Sequence, residues 1–228
     1  MKDLIYSNQL SMFGSKEIIG FGSEYFSIKE IDRNKANTII VEKHYSKKFY
    51  NASYIHLGVF INDELVGVLQ FGYAMNPASC GSVVEGTEME QYLELNRMWI
   101  DDIAPRNSES MAISYSVKYI RSKFGKIKWI QSFADERCGC FGIVYQAANF
   151  EFYGEHIAKF WTLDNEVYHN SLMTRNPKLS KSAAYLQHHK EKATSEELRQ
   201  FRYIYWIDHR WKKKILLQQK PYPKHYKE

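Results

Sequence analysis

A short group of polar side chains lies where an apolar stretch of the sequence gives way to a helical pattern. Arg106, Ser108 and Ser110 follow the stretch 93–100 and open a segment whose apolar residues recur at helical spacing. Backbone N–H groups at the start of a helix can bind an anion, and guanidinium and hydroxyl groups add further donors. The pattern therefore indicates a candidate phosphate or carboxylate site. Many junctions of this kind bind no ligand, so a purely structural role is the alternative.

Basic residues are concentrated toward the carboxyl end of the chain. The region 175–228 has 14 Lys and Arg against 5 Asp and Glu, whereas residues 1–174 have 17 against 21. Aromatic residues are interleaved with these cations, a mixture that suits phosphate contact together with base stacking. A solvated tail and a strand packed on the core are the alternatives. The candidate DNA contacts are Lys47, Lys48, Arg199, Arg202, Arg210, Lys212, Lys213 and Lys214.

The cysteines and the apolar residues limit the cellular environment of the chain. Cys80, Cys138 and Cys140 do not form a disulfide framework, and a Cys-x-Cys pair lacks the spacing of a closed zinc site. Reduced thiols and a cytoplasmic location are therefore expected. No stretch has the apolar length of a membrane span, and the amino terminus lacks a signal-peptide pattern, so no membrane association is expected.

The central region, residues 92–154, is predicted to fold as strand, loop, helix, strand and helix. A strand at 93–100 leads to a helix at 108–125, which a serine caps at its start and a glycine ends. A second strand at 127–133 leads through a glycine-rich bend to a short helix that ends near residue 149. The candidate chemical groups of this region lie at the junctions between these elements.

The elements predicted on either side indicate an α+β fold, a mixed sheet flanked by helices. Asp32 is predicted to cap a helix that runs to about residue 43, and the stretches 54–61 and 65–72 form an antiparallel hairpin. The sheet therefore starts antiparallel and becomes parallel around the central strand–helix–strand unit. The remaining predicted elements are a hairpin at 157–163 and 166–173, a short helix opened by a capping box at Thr194 and Glu197, and a strand at 203–207.

This order of elements resembles the Gcn5-related N-acyltransferase fold. In that family a cofactor pyrophosphate lies on the loop between the central strand and its helix, which here is the loop 103–110. The resemblance implies that Arg106, Ser108 and Ser110 bind the cofactor. The glycine-rich loop usual in the family is absent, because residues 105–110 contain no glycine. That departure argues against ordinary acyl-coenzyme A binding.

Six short segments, taken together and in order, resemble a more specific family. They are His44-Tyr45-Ser46, Glu94-Leu-Asn-Arg-Met-Trp-Ile100, Ser132-Phe-Ala-Asp135, Gly142-Ile-Val-Tyr-Gln-Ala-Ala-Asn-Phe150, Asp164-x-x-x-Tyr-His169 and the terminal Pro-Tyr-Pro-Lys. Over residues 30–225 the chain is similar to the Mom family of bacteriophage DNA-modification proteins. The resemblance implies transfer of a methylcarbamoyl (acetamido) group to N6 of adenine in duplex DNA, in the host cytoplasm, which protects phage DNA from host restriction enzymes. It also implies a requirement for iron, and it leaves the group donor, acetyl-CoA or another, open.

Roles for six residues follow from this second resemblance. The implied ligands offer imidazole, phenolate and carboxylate groups, a set that suits iron. Structural alternatives exist, because a His-Tyr pair at a helix end is usually a packed ring pair and an Asp after a strand often caps the next helix. An arginine inside a central strand should meet a carboxylate or an anionic group of the donor. The residues that match the family's functional positions are His44, Tyr45, Arg97, Ser110, Asp135 and Tyr145, of which His44, Tyr45 and Asp135 are the implied metal ligands. Arg97 and Tyr145 are candidate catalytic residues, and His169, outside the six, is a further catalytic candidate as an extra ligand or a base, with packing as its structural alternative.

The implied reaction constrains how the substrate binds. An adenine amine is a poor nucleophile because its lone pair is delocalised into the ring, so activation of the donor carbon is expected. The base must also leave the stack, and Tyr45, Phe49 and Tyr50 are candidate stacking faces. Residues 1–174 are then the catalytic domain, and 175–228 form a basic extension that packs on it and contacts DNA.

Two other functions are compatible with the sequence. The first is a conventional acetyl-CoA-dependent N-acetyltransferase that acts on a small amine or a protein, and the missing glycine-rich loop speaks against it. The second is a DNA-binding protein without activity, which would leave the cluster of polar residues unexplained. The oligomeric state is open, with a homodimer as one alternative.

Overall fold

The structure is a computed structural model that describes residues 3–10, 15–139 and 141–224. In these residues ten strands form one sheet. The strands are β1 (Leu4–Leu10), β2 (Lys16–Gly22), β3 (Phe26–Glu30), β4 (Ser53–Ile61), β5 (Glu64–Gly72), β6 (Tyr92–Ile100), β7 (Trp129–Asp135), β8 (Glu151–Leu163), β9 (Glu166–His169) and β10 (Thr194–Trp206). The α-helices are α1 (Arg33–Lys43), α2 (Ser108–Lys123), α3 (Ile143–Ala147), α4 (Ser171–Thr174) and α5 (Lys181–His188).

The strand order is β1-β2-β3-β4-β5-β6-β7-β10-β8-β9. Strands β6 and β7 are parallel, and the other strand pairs in the described residues are antiparallel. The parallel pairing covers only Tyr92 to Glu94 of β6 and Trp129 to Gln131 of β7. Beyond these residues β6 continues beside β5 and β7 continues beside β10, so the two parallel strands diverge. The predicted α+β fold with a parallel strand–helix–strand unit is confirmed.

The alternation of side chains along the central strands divides the core between two faces of the sheet. On one face, Leu93 and Leu95 pack in a large apolar cluster with Ile113 and Val117 of α2. On the other face, a smaller cluster is built around Tyr92, Trp129, Val84 and Trp206. The two clusters hold β6 and β7 from both sides. None of the described helices combines the length and the apolar character needed to cross a membrane.

Local sequence signals correctly predicted several elements. Asp32 caps α1, because its carboxylate accepts hydrogen bonds from the backbone N–H groups of Asn34 and Lys35 at 2.7 and 3.2 Å. The hairpin of β4 and β5 turns at Asn62 and Asp63, which have φ angles of 48° and 64°. Asn and Asp tolerate this left-handed conformation better than most residues, so the turn signal was strong enough to place the hairpin.

Helix α2 begins at the predicted residue but through a different cap. Asn107 is the N-cap residue, with a φ of 71°, and its side chain makes no capping hydrogen bond. Ser108 is almost fully buried, and its hydroxyl donates a hydrogen bond to the carbonyl of Pro105 at 2.6 Å. The predicted serine cap is therefore wrong, because that hydroxyl belongs to the first turn of the helix.

Two predictions for the second half of the chain are wrong. The capping-box pattern at Thr194 and Glu197 does not open a helix, because residues 194–206 form β10 between β7 and β8. Pairing on both edges of this strand outweighs the local capping signal. The second predicted hairpin strand ends early, since β9 stops at His169 and α4 follows. Strand β10 also comes from the region 175–228, so this basic region contributes a central strand of the sheet.

Candidate functional site

A cavity of about 390 Å³ opens where β6 and β7 diverge. Its floor consists of side chains that point away from α2, on β6, β7, β8 and β10. Residues of the loop after β5 and the end of β9 form its walls. Six candidate site residues proposed from the sequence line it: Tyr45, Tyr50, Arg97, Asp135, His169 and Arg202.

Glu94 is a half-buried acid of the floor, and a hydrogen-bond network holds its carboxyl group. Gln131 Nε2 donates to Glu94 Oε2 at 2.8 Å, and Asn96 Nδ2 donates to Glu94 Oε1 at 3.3 Å. The hydroxyl of Ser53 donates to Asn96 Oδ1 at 2.9 Å, which fixes the orientation of that amide. Gln131 Oε1 is buried and has no hydrogen-bond partner in the described residues. The network thus ends on an unused acceptor at the cavity floor.

The environment of Glu94 changes its acidity. Burial raises the pKa of the carboxyl group to about 7, and hydrogen bonds from Gln131 and Asn96 and the charges of Arg97 and Arg202 oppose a larger rise. Both protonation states are therefore populated at neutral pH, which suits a group that accepts and releases a proton. Sequence reasoning missed Glu94 as a site residue. The signal was the alternation of Glu94 and Asn96 with leucines in an otherwise apolar strand.

Arg97 extends from β6 into the cavity, where carbonyl groups and a ring surround it. Its Nε donates to the carbonyl of Lys48 at 3.0 Å, and its Nη1 donates to the carbonyl of Asn96 at 2.6 Å. The guanidinium carbon lies 5.9 Å from the centre of the Tyr50 ring. Burial lowers the pKa of Arg97, and the nearby Glu94 carboxyl opposes that change. The carboxylate neighbour expected for this arginine is therefore Glu94, which acts without a direct hydrogen bond in this arrangement.

His44 and His169 are held by the same local arrangement. The backbone N–H of Ser46 donates to His44 Nδ1 at 3.1 Å, and the backbone N–H of Ser171 donates to His169 Nδ1 at 3.1 Å. A nitrogen that accepts an N–H carries no proton, so each neutral ring carries its proton on Nε2. The His44 ring also packs on the Tyr45 ring, with centroids 4.3 Å apart. Both histidines are therefore hydrogen-bond donors at Nε2.

Asp135 is the last residue of β7, and its carboxylate is hydrogen-bonded to Arg137. Its Oδ1 accepts the backbone N–H of Arg137 at 3.0 Å, and its Oδ2 accepts a guanidinium N–H at 2.7 Å. The same guanidinium lies 4.2 Å from the centre of the Phe160 ring. Asp135 therefore caps the short turn Glu136–Cys138, which is the structural role weighed against metal binding.

Some atoms of the implied iron ligands His44, Tyr45 and Asp135 are engaged in hydrogen bonds. No group of three His, Cys, Asp or Glu side chains is placed to hold a metal ion within the described part of the chain. His44 Nδ1 and both oxygens of Asp135 already have hydrogen-bond partners. Of the two neighbouring cysteines, Cys140 and the side chain of Cys138 lie outside the described residues.

Tyr145 lies on the opposite face of the sheet from the cavity. Its ring is on α3 and packs 5.4 Å from the ring of Tyr203 and 5.8 Å from that of Phe150. Arg202 lines the cavity, and its neighbour Tyr203 must point to the other face because strand side chains alternate. The predicted catalytic Tyr145 is therefore not brought together with Arg97.

The predicted anion site lies at the first turn of α2. The hydroxyls of Ser108 and Ser110 donate to the carbonyls of Pro105 and Asn107, at 2.6 and 3.0 Å. Their protons are thus committed to the backbone. Arg106 is exposed, and no side chain caps the first-turn N–H groups, so these backbone donors and Arg106 could bind an anion.

Most of the predicted DNA-contacting cations have partners inside the protein. Arg199 donates to Glu136 at 2.9 and 2.6 Å, Lys212 contacts Glu151 at 2.6 Å, and Lys48 contacts Glu166 at 2.8 Å. Similar internal contacts account for several others: Arg210 pairs with Asp208, Lys47 reaches the carbonyl of Glu42, and Lys214 lies over the ring of Trp211. Arg202 is inside the cavity, 5.1 Å from the Phe133 ring centre, and Lys213 is exposed.

The acidity of His44 gives a prediction that can be measured directly. Burial and the charges of Arg97 and Lys47 lower its pKa to about 4. Because the pKa is lowered on folding, the stability that depends on the neutral ring is complete above pH 6.5 and is lost as the pH falls through 4. An NMR titration should show His44 neutral at about pH 5.5, with the Nε2–H tautomer, and His44→Gln should remove that signal. A midpoint near 6.5 would contradict the described burial.

The chain matches a known protein family over most of its length. The model of the Mom protein family matches residues 25–224. The chain belongs to the Mom protein family. A relative within the Mom family, the methylcarbamoylase mom of Escherichia phage Mu, is 48% identical over 211 residues, which cover 91% of this chain and 88% of the relative. The resemblance inferred from the ordered segments is confirmed.

Solved structures similar to this Mom family member are acetyltransferases. One is Arabidopsis thaliana NAA60 in complex with acetyl-CoA, which is 8% identical, has a TM-score of 0.49, and matches over 79% of this chain and 99% of that chain. Another is a ribosomal-protein-S5-alanine acetyltransferase from Vibrio fischeri, which is 10% identical, has a TM-score of 0.47, and matches over 83% and 97%.

Proposed function

We propose that this chain is a phage DNA-modification enzyme that transfers a methylcarbamoyl group to N6 of adenine in duplex DNA. Membership of the Mom family and the 48% identity to a phage methylcarbamoylase support the reaction. The structural observation that carries the proposal is the cavity between β6 and β7, with a proton-exchanging Glu94 beside Arg97 and Arg202. The modified DNA would resist host restriction, so the enzyme acts on phage DNA inside the host cell.

The floor of the cavity supplies the groups that this transfer needs. The bond between adenine N6 and the methylene carbon of the group forms while the bond from that carbon to its leaving group breaks. N6 loses one proton, which the Glu94 carboxylate accepts as the new bond forms. Arg97 and the Nε2–H of His169 stabilise negative charge on the donor. Activation of the donor, rather than prior removal of a proton from the weak amine, thus drives the step.

The target base reaches this floor only if it leaves the helix stack. Tyr45 and Tyr50 line the cavity, and 58% of the surface of Tyr45 is exposed to solvent. These rings could stack on a flipped adenine, and the exposed Phe49 immediately precedes Tyr50 in the chain. Two of the three stacking faces proposed from the sequence thus line the cavity.

The group donor is proposed to bind at the start of α2. The N–H groups of the first turn and the exposed Arg106 could bind a phosphate of the donor, as expected for an acyltransferase-like fold. The site lacks the glycine-rich loop, and two serine hydroxyls are committed to backbone carbonyls. The site would therefore accommodate a phosphate of the donor through its backbone N–H groups and Arg106. The displacement above requires a leaving group on the methylene carbon of the donor, which acetyl-CoA lacks, so the step is written for another donor that carries a phosphate.

Iron is a separate part of the proposal, and it rests on family resemblance. His44, Tyr45 and Asp135 offer the nitrogen and oxygen atoms that iron accepts. Their present hydrogen bonds do not leave these atoms free as a set, so no step proposed above uses a metal. Iron supply is consequently a variable in the experiment that tests the function.

Nucleoside mass spectrometry on plasmid DNA from cells that express the chain tests the function. We expect an adenosine species heavier by one methylcarbamoyl group, because the cavity can hold a flipped adenine beside Glu94. The control variant Lys126→Gln should give the same modified adenosine, since Lys126 is exposed and lies in the loop after α2. Unmodified adenosine from soluble protein, with iron supplied, would refute the proposal. Acetylation of small amines or proteins would then be assayed as the alternative activity.

A further inference from the structure

The segment that follows β9 carries a group of exposed cations that form no ion pair with a carboxylate among the described residues. Helix α4, the short turn Pro177–Leu179 and helix α5 form this segment, with a last turn at Lys190–Lys192. It has one acidic residue, Glu191. No ion pair involves its cations in the described part of the chain. The exposed cations are Arg175, Lys178, Lys181, Lys190 and Lys192.

These cations differ in their ion pairing from the basic residues near the end of the chain. Arg199, Arg210 and Lys212 are bound to carboxylates at 2.6 to 2.9 Å. A cation that already contacts a carboxylate must give up that contact before it neutralises a phosphate. Cations without a carboxylate partner bind a polyanion at no such cost, so the segment from α4 to Lys192 is the more favourable phosphate-binding surface.

The position of the segment places it beside the cavity. His169, which lines the cavity, is two residues before α4, and the hydroxyl of Ser171 donates to the sulfur of Met75 in the cavity wall at 3.5 Å. Burial raises the pKa of Tyr50 in the same wall, and the charge of Arg175 opposes that rise. Arg175 therefore lies within electrostatic reach of the residues at the entrance.

The turn at residues 209–214 lies at the other end of the site. The backbone N–H of Asp208 donates to the carbonyl of Lys128 at 2.9 Å, immediately before the first residue of β7. Asp135, at the last residue of β7, is six residues further along, which corresponds to about 20 Å of extended strand. The cations of this turn are therefore far from the end of the cavity that Asp135 lines.

The segment is also rigidly attached. Leu163, Tyr168 and Leu186 form a small buried cluster that fixes α5 on the end of the sheet. The side-chain amide of Gln187 donates to the carbonyls of Leu172 and Arg175 at 2.7 and 2.8 Å, which ties α5 to α4. The cations therefore extend from a preorganised platform, and binding would require little ordering of the backbone.

We propose that the segment from α4 to Lys192 binds the DNA backbone phosphates that flank the flipped adenine. A flipped nucleotide stays joined to its phosphates, so the phosphate contacts must border the cavity entrance. The platform meets this requirement because it lies beside the entrance and its positive charges are not paired with carboxylates in the part of the chain that the structure describes. The proposal rests on the proposed function only in taking duplex DNA as the substrate.

A double charge reversal tests the surface. Lys178→Glu with Lys181→Glu should weaken binding of a fluorescein-labelled duplex by about tenfold or more. It should also lower the slope of log affinity against log salt by about 0.9 for each phosphate that the protein no longer neutralises. The matched control is Lys16→Glu with Lys126→Glu, which makes the same change of charge at exposed positions outside the segment. Circular dichroism checks folding. The control should weaken binding much less.

A third variant tests the competing phosphate-binding surface, the turn at residues 209–214. Arg210→Glu with Lys213→Glu should weaken binding less than the reversal at 178 and 181. A greater loss of affinity from Arg210→Glu with Lys213→Glu, or equal losses in all three variants, would overturn the proposal. Nucleoside mass spectrometry on the same proteins separates the two claims. DNA binding that depends on the segment, with no modified adenosine from the native chain, would refute the enzyme and leave the surface standing.

Discussion

Replacing Glu94 with glutamine is expected to lower adenine modification by about 10²- to 10⁴-fold, the usual contribution of a positioned acid or base. The substitution keeps the size of the side chain and its position beside Asn96 and Gln131, but it removes the proton acceptor. Gln131 Nε2 now donates to Glu94, so the Gln131 amide must turn over in the variant, after which its unpartnered Oε1 accepts from the introduced amide. The loss of activity should therefore occur without loss of structure.

The pH dependence of the modification activity and of the stability provides a second test of the role of Glu94. Native modification should rise as the pH increases through about 7, because Glu94 then loses its proton. Stability should change in the opposite direction. The folded pKa is raised above the ordinary value of 4.5, so the contribution of Glu94 to stability is complete below 4.5 and is lost as the pH rises through 7. The loss of stability is about 3 kcal/mol at about pH 8.

These two measurements distinguish a proton acceptor from a structural residue. Glu94→Gln should unfold at a temperature several degrees higher than the native chain at about pH 8, while its modification activity falls. Glu64→Gln is the control, because Glu64 is exposed at the start of β5. Full activity of Glu94→Gln with an unchanged pH profile would exclude the proposed role. Equal loss of activity and stability would indicate a structural role.

Replacing Trp129 with alanine is expected to lower the free energy of unfolding by about 3 to 5 kcal/mol. Trp129 is fully buried, and its ring stacks on Tyr92 with centroids 4.7 Å apart. Its indole N–H donates to the Thr87 hydroxyl at 3.2 Å. Because Tyr92 and Trp129 begin the short parallel pairing of β6 and β7, the cavity left behind would weaken both the core and one end of the site.

Urea denaturation of Trp129→Ala and Trp129→Phe measures this effect. Phenylalanine keeps an aromatic ring against Tyr92 and removes the N–H, so its cost should be smaller, at about 1 to 3 kcal/mol. The order of stability should be native, then Trp129→Phe, then Trp129→Ala. An alanine variant within about 0.5 kcal/mol of the native chain would mean that the ring pair does not hold the two strands together.

The sequence by itself determined the elements whose signals are local. Asp32 caps α1 because a carboxylate two residues away from free N–H groups is sufficient for a cap. Asn62 and Asp63 placed the first hairpin because the turn requires residues that tolerate a positive φ. Family membership was also accessible, because the order of six short segments along the chain was enough to indicate it.

Only the tertiary structure decided how distant residues meet. Burial of the Glu94 carboxyl group between β6 and its neighbouring strands raises its pKa to about 7, while Gln131 of β7 and Arg202 of β10 oppose a larger rise, and the sequence of β6 alone does not determine that burial. Tyr145 faces away from the cavity because α3 packs on the other side of the sheet. A residue type determines what chemistry a side chain can do, whereas burial and pairing depend on contacts between residues far apart in the chain.

The basic residues of the surface likewise depend on the tertiary structure for their pairing. Their number and order in the sequence indicated a polyanionic partner, but the sequence could not say which of them were already paired. Arg199 is bound to Glu136, 63 positions away in the chain, and Lys212 is bound to Glu151, 61 positions away. Charge is a property of each residue, whereas the folded neighbours determine whether that charge is already paired, so only the tertiary structure could distinguish the segment from α4 to Lys192, which we propose as the platform for DNA.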